Sequence, residues 1–446
     1  MKLTTHIIPI DINNEEKLII NSLNGIMDKV GQPIFDIIQR WYGLDEITPE
    51  TEVEVALYNN LKSRGYLVNN HDEEMTLKNQ VISRLREIHN KQKENCKHIT
   101  FIMTYNCNFR CPYCFEGEST VKREIINPEQ IDAALRLAGD SLESVGLFGG
   151  EPLLPSNRAS LEYLFSKTKG KVFNITTNGY YLEEYLDLLS QLNVAYIMVT
   201  LDGEEETHNS RRYLANGKPT YDKIMRGIEK YLENGIPIRI RMNLDSNNFT
   251  EGQKLQQNLV EKFRAYEKHL SFEMGTIFGI PNDEKTEITT QLFNQGINLS
   301  PEEKQQNNTM IGRFSPIVNN MTIGSKLKPT YSFCSAHSNI FLVDPYGLIY
   351  TCLPAVGKQE LSVGTYHPEL KFKENSIYTR NIETIPECRE CTYSLLCGGG
   401  CPLGLPSYED VCKPECFSIR NQVHNLLPRF YNMNCEAEKK RELSQV

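Results

Sequence analysis

Short apolar runs separated by amphipathic segments set the rhythm of residues 98 to 280. The runs are "ITFIMTY", "VGLF", "KVFNITT", "YIMVTL", "IRIRMNL" and "LSFEMGT", and their length and β-branched content predict six strands. Between them, "NPEQIDAALRLAGDSLE" reads as a helix: Asn127 caps it, Pro128 opens the first turn, and Ile131, Leu135 and Ala138 recur on one face. Six strands alternating with helices predict a parallel βα-repeat, either an open doubly wound sheet or an incomplete barrel. In both architectures the reactive residues belong at the C-terminal ends of the strands. That is where "CNFRCPYCFE", "GGEP", "TTNG" and "DGEEETH" fall.

The flanks differ in texture. Before residue 95, β-like runs ("HIIPIDI", "KLIINSL") precede a predicted helix capped by Thr48 with Pro49 in its first turn. Val53, Leu57 and Leu61 would be its apolar stripe and Gly65 its stop, before the strand-like "YLV". This pattern predicts a small winged-helix module, followed by a charged linker helix over 69–98. Residues 281 to about 325 are polar and weakly patterned, and predict a long helical or loop connection. A cysteine-dense stretch covers 334–416, and an amphipathic segment closes the chain.

Composition narrows the function. A net charge of -9 over 446 residues argues against a phosphate-neutralising nucleic-acid binder. The first 20 residues lack the apolar core of a signal peptide and no stretch is long enough to span a bilayer, so the expectation is a soluble, cytoplasmic protein without a membrane partner. Thirteen cysteines in a reducing compartment are expected to bind metal or perform chemistry. Their distribution implies two metal-binding regions, since no cysteine lies between Cys114 and Cys334.

Cys107, Cys111 and Cys114 form a CxxxCxxC loop directly after the first predicted strand. Three thiolates on an iron-sulfur cluster leave one metal position open, whereas a closed structural site takes four ligands. Taken alone, the motif also fits a zinc knuckle completed by a distant histidine. Downstream, Cys334 and Cys352 flank Gly347; Cys388, Cys391, Cys397 and Cys401 follow as CxxCx5CxxxC, with Cys412 and Cys416 beyond. That second run could equally be a four-cysteine zinc site. None of the nine histidines sits in a diagnostic motif, and no catalytic base is evident. Cys96 and Cys435 fit neither pattern and read as buried or free thiols.

Together these motifs resemble the radical S-adenosylmethionine (SAM) enzymes with a C-terminal SPASM extension. The resemblance is carried by CxxxCxxC with Tyr113, by Gly149, Gly150 and Glu151 of "FGGEP", and by "VTLDGEEETHNSRR". It implies a partial (β/α)6 TIM-like barrel in which Cys107, Cys111 and Cys114 hold three irons of a 4Fe-4S cluster and the fourth iron chelates SAM. One electron then yields a 5'-deoxyadenosyl radical that takes hydrogen from substrate. Carried over, Gly149, Gly150 and Glu151 meet the SAM amino group, Thr200 the ribose and Arg212 the carboxylate, with Asp202 and the weaker candidate Asn178 beside them. Two auxiliary 4Fe-4S clusters are implied, making three in all: one on Cys334, Cys352 and Cys401, the other on Cys388, Cys391, Cys397 and Cys416. Cys412 either completes the first auxiliary cluster or leaves it with an open iron.

The resemblance further implies domains at 1–95 (winged-helix peptide-recognition module and linker helix), 96–325 (barrel and bridging region), 326–420 (SPASM) and 421–446 (helical tail). Its implied partners are a precursor peptide with a leader and a flavodoxin- or ferredoxin-type electron donor. The expected activity is thioether crosslinking, sulfur to carbon, in a ribosomally made peptide. Carbon-carbon crosslinking and formylglycine formation are the alternatives within the same chemistry. Leu353 and Phe148 stand where the sulfatase-maturing type carries an aspartate and a glutamine, which weakens the last. A zinc-binding adaptor without catalysis is the alternative from another class.

Overall fold

The computed structural model describes residues 1–116, 124–297, 327–405, 407–417, 420, 422–428 and 431–432. These fall into two units. One holds Met1–Lys93 with the described residues of 312–338 and 379–446; the other holds Glu94 onward through the described residues up to 311, with Asn339–Tyr378.

The first unit begins with β1 (Lys2–Leu3), followed by an antiparallel sheet of β2 (Ile7–Asp11), β3 (Glu16–Asn21) and β4 (Met27–Gly31) in that order. Then come α1 (Gln32–Trp41), α2 (Glu52–Ser63), β5 (Leu67–Val68), which pairs with β1, and the long α3 (His71–Lys93). Leu3, Ile7, Ile19, Phe35, Ile38, Trp41 and Leu61 form its core. The N-terminus of α2 departs from expectation. Thr51, not Thr48, is the cap, its hydroxyl accepting from the Glu54 amide at 3.2 Å. Val53 is exposed rather than part of an apolar stripe, because the turn places Glu54 inward, where Arg40 binds its carboxylate at 2.7 Å.

On α3, Val81, Ile82 and Leu85 pack against a second core made by Leu23, Tyr331, Ile382, Ile385, Cys388 and Leu395. The Lys78 ammonium donates to the Arg389 carbonyl, and Arg86 forks onto Glu383. The charged "linker" helix is therefore the spine on which the cysteine-rich segment is built. Among the described residues little regular structure follows in that segment: a single turn at Ser394–Cys397 and short 3-10 turns. Gln422–Leu426 forms a π-helical turn. The expected helical tail beyond residue 432, Cys435 included, and the connection from 298 to 326 lie outside the described residues.

The second unit is the βα-repeat. In chain order it comprises β6 (His98–Ile102), α4 (Pro128–Ala138), β7 (Ser144–Phe148), α5 (Arg158–Lys167), β8 (Val172–Thr177), α6 (Leu182–Leu189), β9 (Asn193–Thr200), α7 (Glu205–Arg211), α8 (Tyr221–Glu233), β10 (Ile238–Leu244), α9 (Phe249–Lys262), β11 (Leu270–Thr276) and α10 (Asn282–Ile297). All six expected strands are present and parallel, each beside its predecessor. Sequential order has no switch point, so the repeat winds one way, as a partial (β/α)6 barrel does and a doubly wound sheet does not. On α4, Asn127 and Gln130 form the reciprocal capping box that the sequence half announced.

The sheet does not stop at β6. The strand β12 (Ile340–Val343) lies parallel to β6, with Phe341 opposite Ile99, and turns back through Asp344–Gly347 into antiparallel β13 (Leu348–Tyr350), then β14 (Gly364–Thr365) and β15 (Lys371–Phe372). Gly347 makes this turn at φ +77°. Alternate side chains of β6 to β11 face the helices and are fully buried, including Ile99, Phe101, Val145, Phe173, Ile197, Ile238 and Ile240. No helix among the described residues is long and apolar enough to cross a membrane.

Candidate functional site

The C-terminal ends of four consecutive strands, β6 to β9, meet the first cysteine loop. Beyond β6 the chain runs through Tyr105 and Asn106 into Cys107 and Cys111, both half-buried, and Cys114, which is exposed. Main-chain bonds strap this loop to the segment after α7: the Arg110 amide donates to the Tyr213 carbonyl at 3.0 Å and the Ala215 amide to the Asn108 carbonyl at 2.8 Å. Buried Phe109 fastens the strap by pairing with Leu214. The Phe109 amide points at the Cys107 sulfur at 3.4 Å, a donor suited to a thiolate. Burial, then the Glu151 carboxylate, push the Cys107 thiol up to about 12, and burial raises Cys111 as well. Bare thiols here stay protonated at neutral pH unless a bound metal draws off the proton.

The turn after β7 explains the spacing of "GGEP". Gly149 and Gly150 adopt φ of +85° and +46°. A Cβ on Gly150 would stand 2.2 Å from the Asn106 carbonyl oxygen, the residue just before Cys107. Only glycine allows that approach. It lets the Glu151 amide donate to the same carbonyl at 2.8 Å. The Glu151 carboxylate is fully buried and accepts from the Leu153 amide (2.8 Å), the Thr177 hydroxyl (2.7 Å) and the Asn178 amide (2.7 Å). Burial nonetheless moves it up to about 7. Three of roughly four acceptor positions are thus taken and one remains. Asn178 reaches back to the loop, its amide donating to Asn108 Oδ1 at 2.8 Å and lying 3.8 Å from the Cys107 sulfur.

Beyond β9, Thr200 and Asp202 are buried at the strand end. Asp202 accepts from the Asn243 amide (3.0 Å) and from the Tyr113 hydroxyl, and Arg212 donates to that hydroxyl at 2.7 Å. Tyr113, Asp202 and Arg212, separate items in the sequence, form one chain over the loop. The Arg212 side chain is 8% exposed, yet its Nε finds no partner among the described residues. An unmet donor on a buried guanidinium fits an anionic group, such as the carboxylate of SAM.

Sequence reasoning missed three supports. Arg211 stacks on the Tyr113 ring at 5.2 Å and pairs with Asp245 at 3.0 Å. The Asn248 amide clamps the Asp202 carbonyl at 2.8 Å. Glu116 accepts from the Gly150 amide at 2.7 Å, its other oxygen meeting no partner among the described residues. The carboxylate two residues past the CxxxCxxC motif was the available signal for Glu116; Arg211 had none, being masked by its neighbour.

In the first unit the thiols of Cys397, Cys391 and Cys416 lie near enough to Cys388 to disfavour its ionisation. Burial and then those neighbours push Cys388 up to about 12. Cys397 reaches about 12 through burial, opposed by the Gly399 amide. Cys334, raised by burial to about 11, has Cys401 as its thiol neighbour. Cys412 has Asp410 and Arg380 beside it. Cys352 follows β13 in the second unit and is half-buried. Cys96 is buried, its thiol donating to the His98 carbonyl at 3.4 Å. Among the described residues no three Cys, His, Asp or Glu groups converge on a single ion. A cluster differs in that its ligands bind separate irons and stand farther apart than donors on one ion.

Residues 101–248 match the family model described as the Radical SAM superfamily. An uncharacterized protein of Archaeoglobus fulgidus is 27% identical over 67% of this chain and 72% of its own. The GTP 3',8-cyclase of Actinobacillus pleuropneumoniae serotype 3 is 24% identical over 52% of this chain and 70% of its own. Among solved structures, anSMEcpe with bound AdoMet covers 76% of this chain and 99% of its own, at TM-score 0.58 and 19% identity. Streptococcus suis SuiB bound to S-adenosylmethionine covers 92% of this chain and 100% of its own, at TM-score 0.53 and 15% identity. At these identities the structural likeness shows a shared fold and nothing beyond it.

Proposed function

We propose that the chain is a radical SAM enzyme that matures a ribosomally made peptide by forming thioether crosslinks from cysteine sulfur to carbon. The observation that carries the SAM chemistry is the Arg212–Tyr113–Asp202 chain, closing over a three-cysteine loop with one buried donor unmet. When bound, the cluster on Cys107, Cys111 and Cys114 supplies the electron that splits SAM into methionine and the deoxyadenosyl radical. The protein's part is to hold and orient: Arg212 Nε receives the SAM carboxylate, the free acceptor position of Glu151 the ammonium, and Thr200 the ribose. Burial of Glu151, Asp202 and Arg212 keeps water from that end of the sheet.

A peptide substrate is favoured by the N-terminal module. Strand β4 is an edge of its sheet, pairing with β3 and with no other strand among the described residues, so a leader could add as a further strand. The structural neighbours anSMEcpe and SuiB have been solved with a Cp18Cys peptide and with precursor peptide SuiA, respectively. The relatives named GTP 3',8-cyclase offer a second substrate class, a nucleotide, on the strength of sequence likeness over about half of this chain. Thioether formation is favoured by the number of auxiliary thiols in the sequence: Cys334, Cys352 and Cys401 make three ligands, and unless Cys412 is the fourth, an open iron there would hold a substrate thiolate. Cys388, Cys391, Cys397 and Cys416 take the other auxiliary cluster.

Anaerobic reconstitution with iron and sulfide, a strong reductant, SAM and cysteine-containing precursors should give peptide lighter by two hydrogens per crosslink in mass spectra. Cleavage of SAM with GTP consumed and every peptide unchanged would replace the peptide reading by the nucleotide one. Protein that binds zinc alone would support the adaptor.

A further inference from the structure

Arg380 is the largest fully buried side chain in the described structure, with no measurable exposure. Its guanidinium donates to four main-chain carbonyls: Val411 and Lys413, each at 2.7 Å, and Gly399 and Gly400. None of these four bonds goes to a carboxylate. Carbonyl dipoles solvate a cation without neutralising it, and arginine does not shed its proton in proteins. A buried charge left in that state is costly enough that a counter-ion is expected.

The groups that its charge meets are thiols. Cys388, Cys397, Cys401 and Cys412 lie within electrostatic reach of it, and each favours the charged guanidinium when ionised. Two of them belong to one proposed auxiliary set and Cys401 to the other, for which Cys412 is the candidate fourth ligand. The four carbonyls come from two loops, 397–401 with Cys397 and Cys401 and 411–416 with Cys412 and Cys416. Gly399 makes room: a Cβ there would stand 3.1 Å from the guanidinium and 2.4 Å from Ile385. A planar fork spans acceptors on two loops at once, which an ammonium on a flexible stem does not.

We propose that Arg380 is the positioning residue of the auxiliary iron-sulfur centres, pinning the two ligand loops together and supplying the counter-charge that raises the centres' reduction potential. This rests on the auxiliary-cluster reading given under Proposed function. Net charge and hydrogen bonding around a cluster are the levers by which a protein sets its potential. A residue that only braced the loops would alter iron content and leave the potential of the assembled centres alone.

The test uses full-length protein, reconstituted anaerobically, as wild type, Arg380→Gln and Arg380→Lys. Iron per chain is counted, and the clusters are titrated electrochemically with paramagnetic resonance detection, the SAM-binding cluster being recognised by its response to SAM. In R380Q the ratio of reduced to oxidised auxiliary centres at a fixed potential should fall at least tenfold, about 59 mV for a one-electron couple, while the SAM-binding cluster holds its value. In R380K the charge survives and the fork does not, so auxiliary iron should fall and the potential of the remaining centres should hold. If R380Q does not fold, R380K decides alone: a lowered potential at full iron content overturns the inference. Three clusters in R380Q with unchanged potentials overturn it too, leaving the auxiliary reading intact. Wild-type protein with iron for one cluster only, or with zinc in the C-terminal thiols, removes that reading and the inference together.

Discussion

The two thiol regions are built on opposite plans. The Cys107–Cys114 loop hangs from the end of β6, partly open to solvent, and its stability is borrowed from regular structure behind it: the strap to 213–215, the glycine turn after β7, and the Tyr113–Asp202–Arg212 chain. The described residues of the Cys388–Cys416 region have almost no regular structure. Its buried cysteines are part of the core, Cys388 sitting among Ile382, Ile385 and Leu395, and a buried arginine replaces a sheet as its frame. The difference teaches where exchange with substrate is expected: a loop held from behind can leave one metal face free, whereas a knot whose ligands are also its core must be filled to be stable.

The sharpest way to break this contrast is to remove one thiol from each. Cys111→Ser should abolish SAM cleavage, read as loss of 5'-deoxyadenosine by chromatography, and leave the melting temperature nearly unchanged. Cys397→Ser should do the reverse: SAM is still split, peptide product disappears, and residues 379–416 become sensitive to protease. Equal destabilisation by both substitutions would show that the contrast is false. Gly150→Ala comes next. Its positive φ costs an alanine about 1–2 kcal/mol, and the clash with the Asn106 carbonyl shifts the residue preceding Cys107. Iron at the first loop should fall severalfold while iron at the C-terminal thiols stays constant.

Arg212→Lys is a smaller perturbation, since a charge remains but the fork is lost. A hydrogen bond to a charged group contributes about 1.5–3 kcal/mol, so SAM affinity should fall on the order of 10- to 100-fold by equilibrium dialysis. The spectrum of the C-terminal thiol centres should not move. Unaltered SAM affinity would remove Arg212 from the proposed carboxylate site.

Much of the second unit could be read from sequence because its signals are local. Six strands announced themselves by β-branched runs, and α4 by Asn127 and Pro128. The extension of the sheet was not legible, because β12 pairs with β6 across more than 200 residues and nothing in "NIFLV" specifies that neighbour. Tyr113, Asp202 and Arg212 were each singled out by motif, but their connection through one hydroxyl depends on how the loop folds back. Arg380 left no trace, since an arginine in an irregular polar stretch reads as a surface residue. Helix α2 misled for a physical reason: Thr48-Pro49 and Thr51 are both competent starts, and burial of Glu54 against Arg40 selects the later one.

The smallest effect separates the two units by pH. Asp344, at the end of β12, is fully buried; Oδ1 accepts from the Tyr346 and Leu348 amides at 2.9 Å each, and Oδ2 from the hydroxyl of Tyr105, two residues before Cys107. Burial moves its carboxyl from the usual 3.8 up to about 6. The folded state therefore holds a proton that the unfolded chain has already lost, and stability falls as pH rises from about 4 to about 6, then levels. At 1.36 kcal/mol per unit the loss is on the order of 2–3 kcal/mol. Asp344→Asn keeps an acceptor for both turn amides and can donate to Tyr105, so it should lack this slope. Hydrogen exchange of the β6 and β12 amides should show wild type losing protection relative to D344N across that window. The chain's single tryptophan, Trp41, is buried in the first unit, and its unfolding transition should show no difference between the two proteins. A matching shift at Trp41 would mean that the units do not respond separately, and the contrast between a loop braced by a sheet and a knot braced by an arginine would lose its thermodynamic meaning.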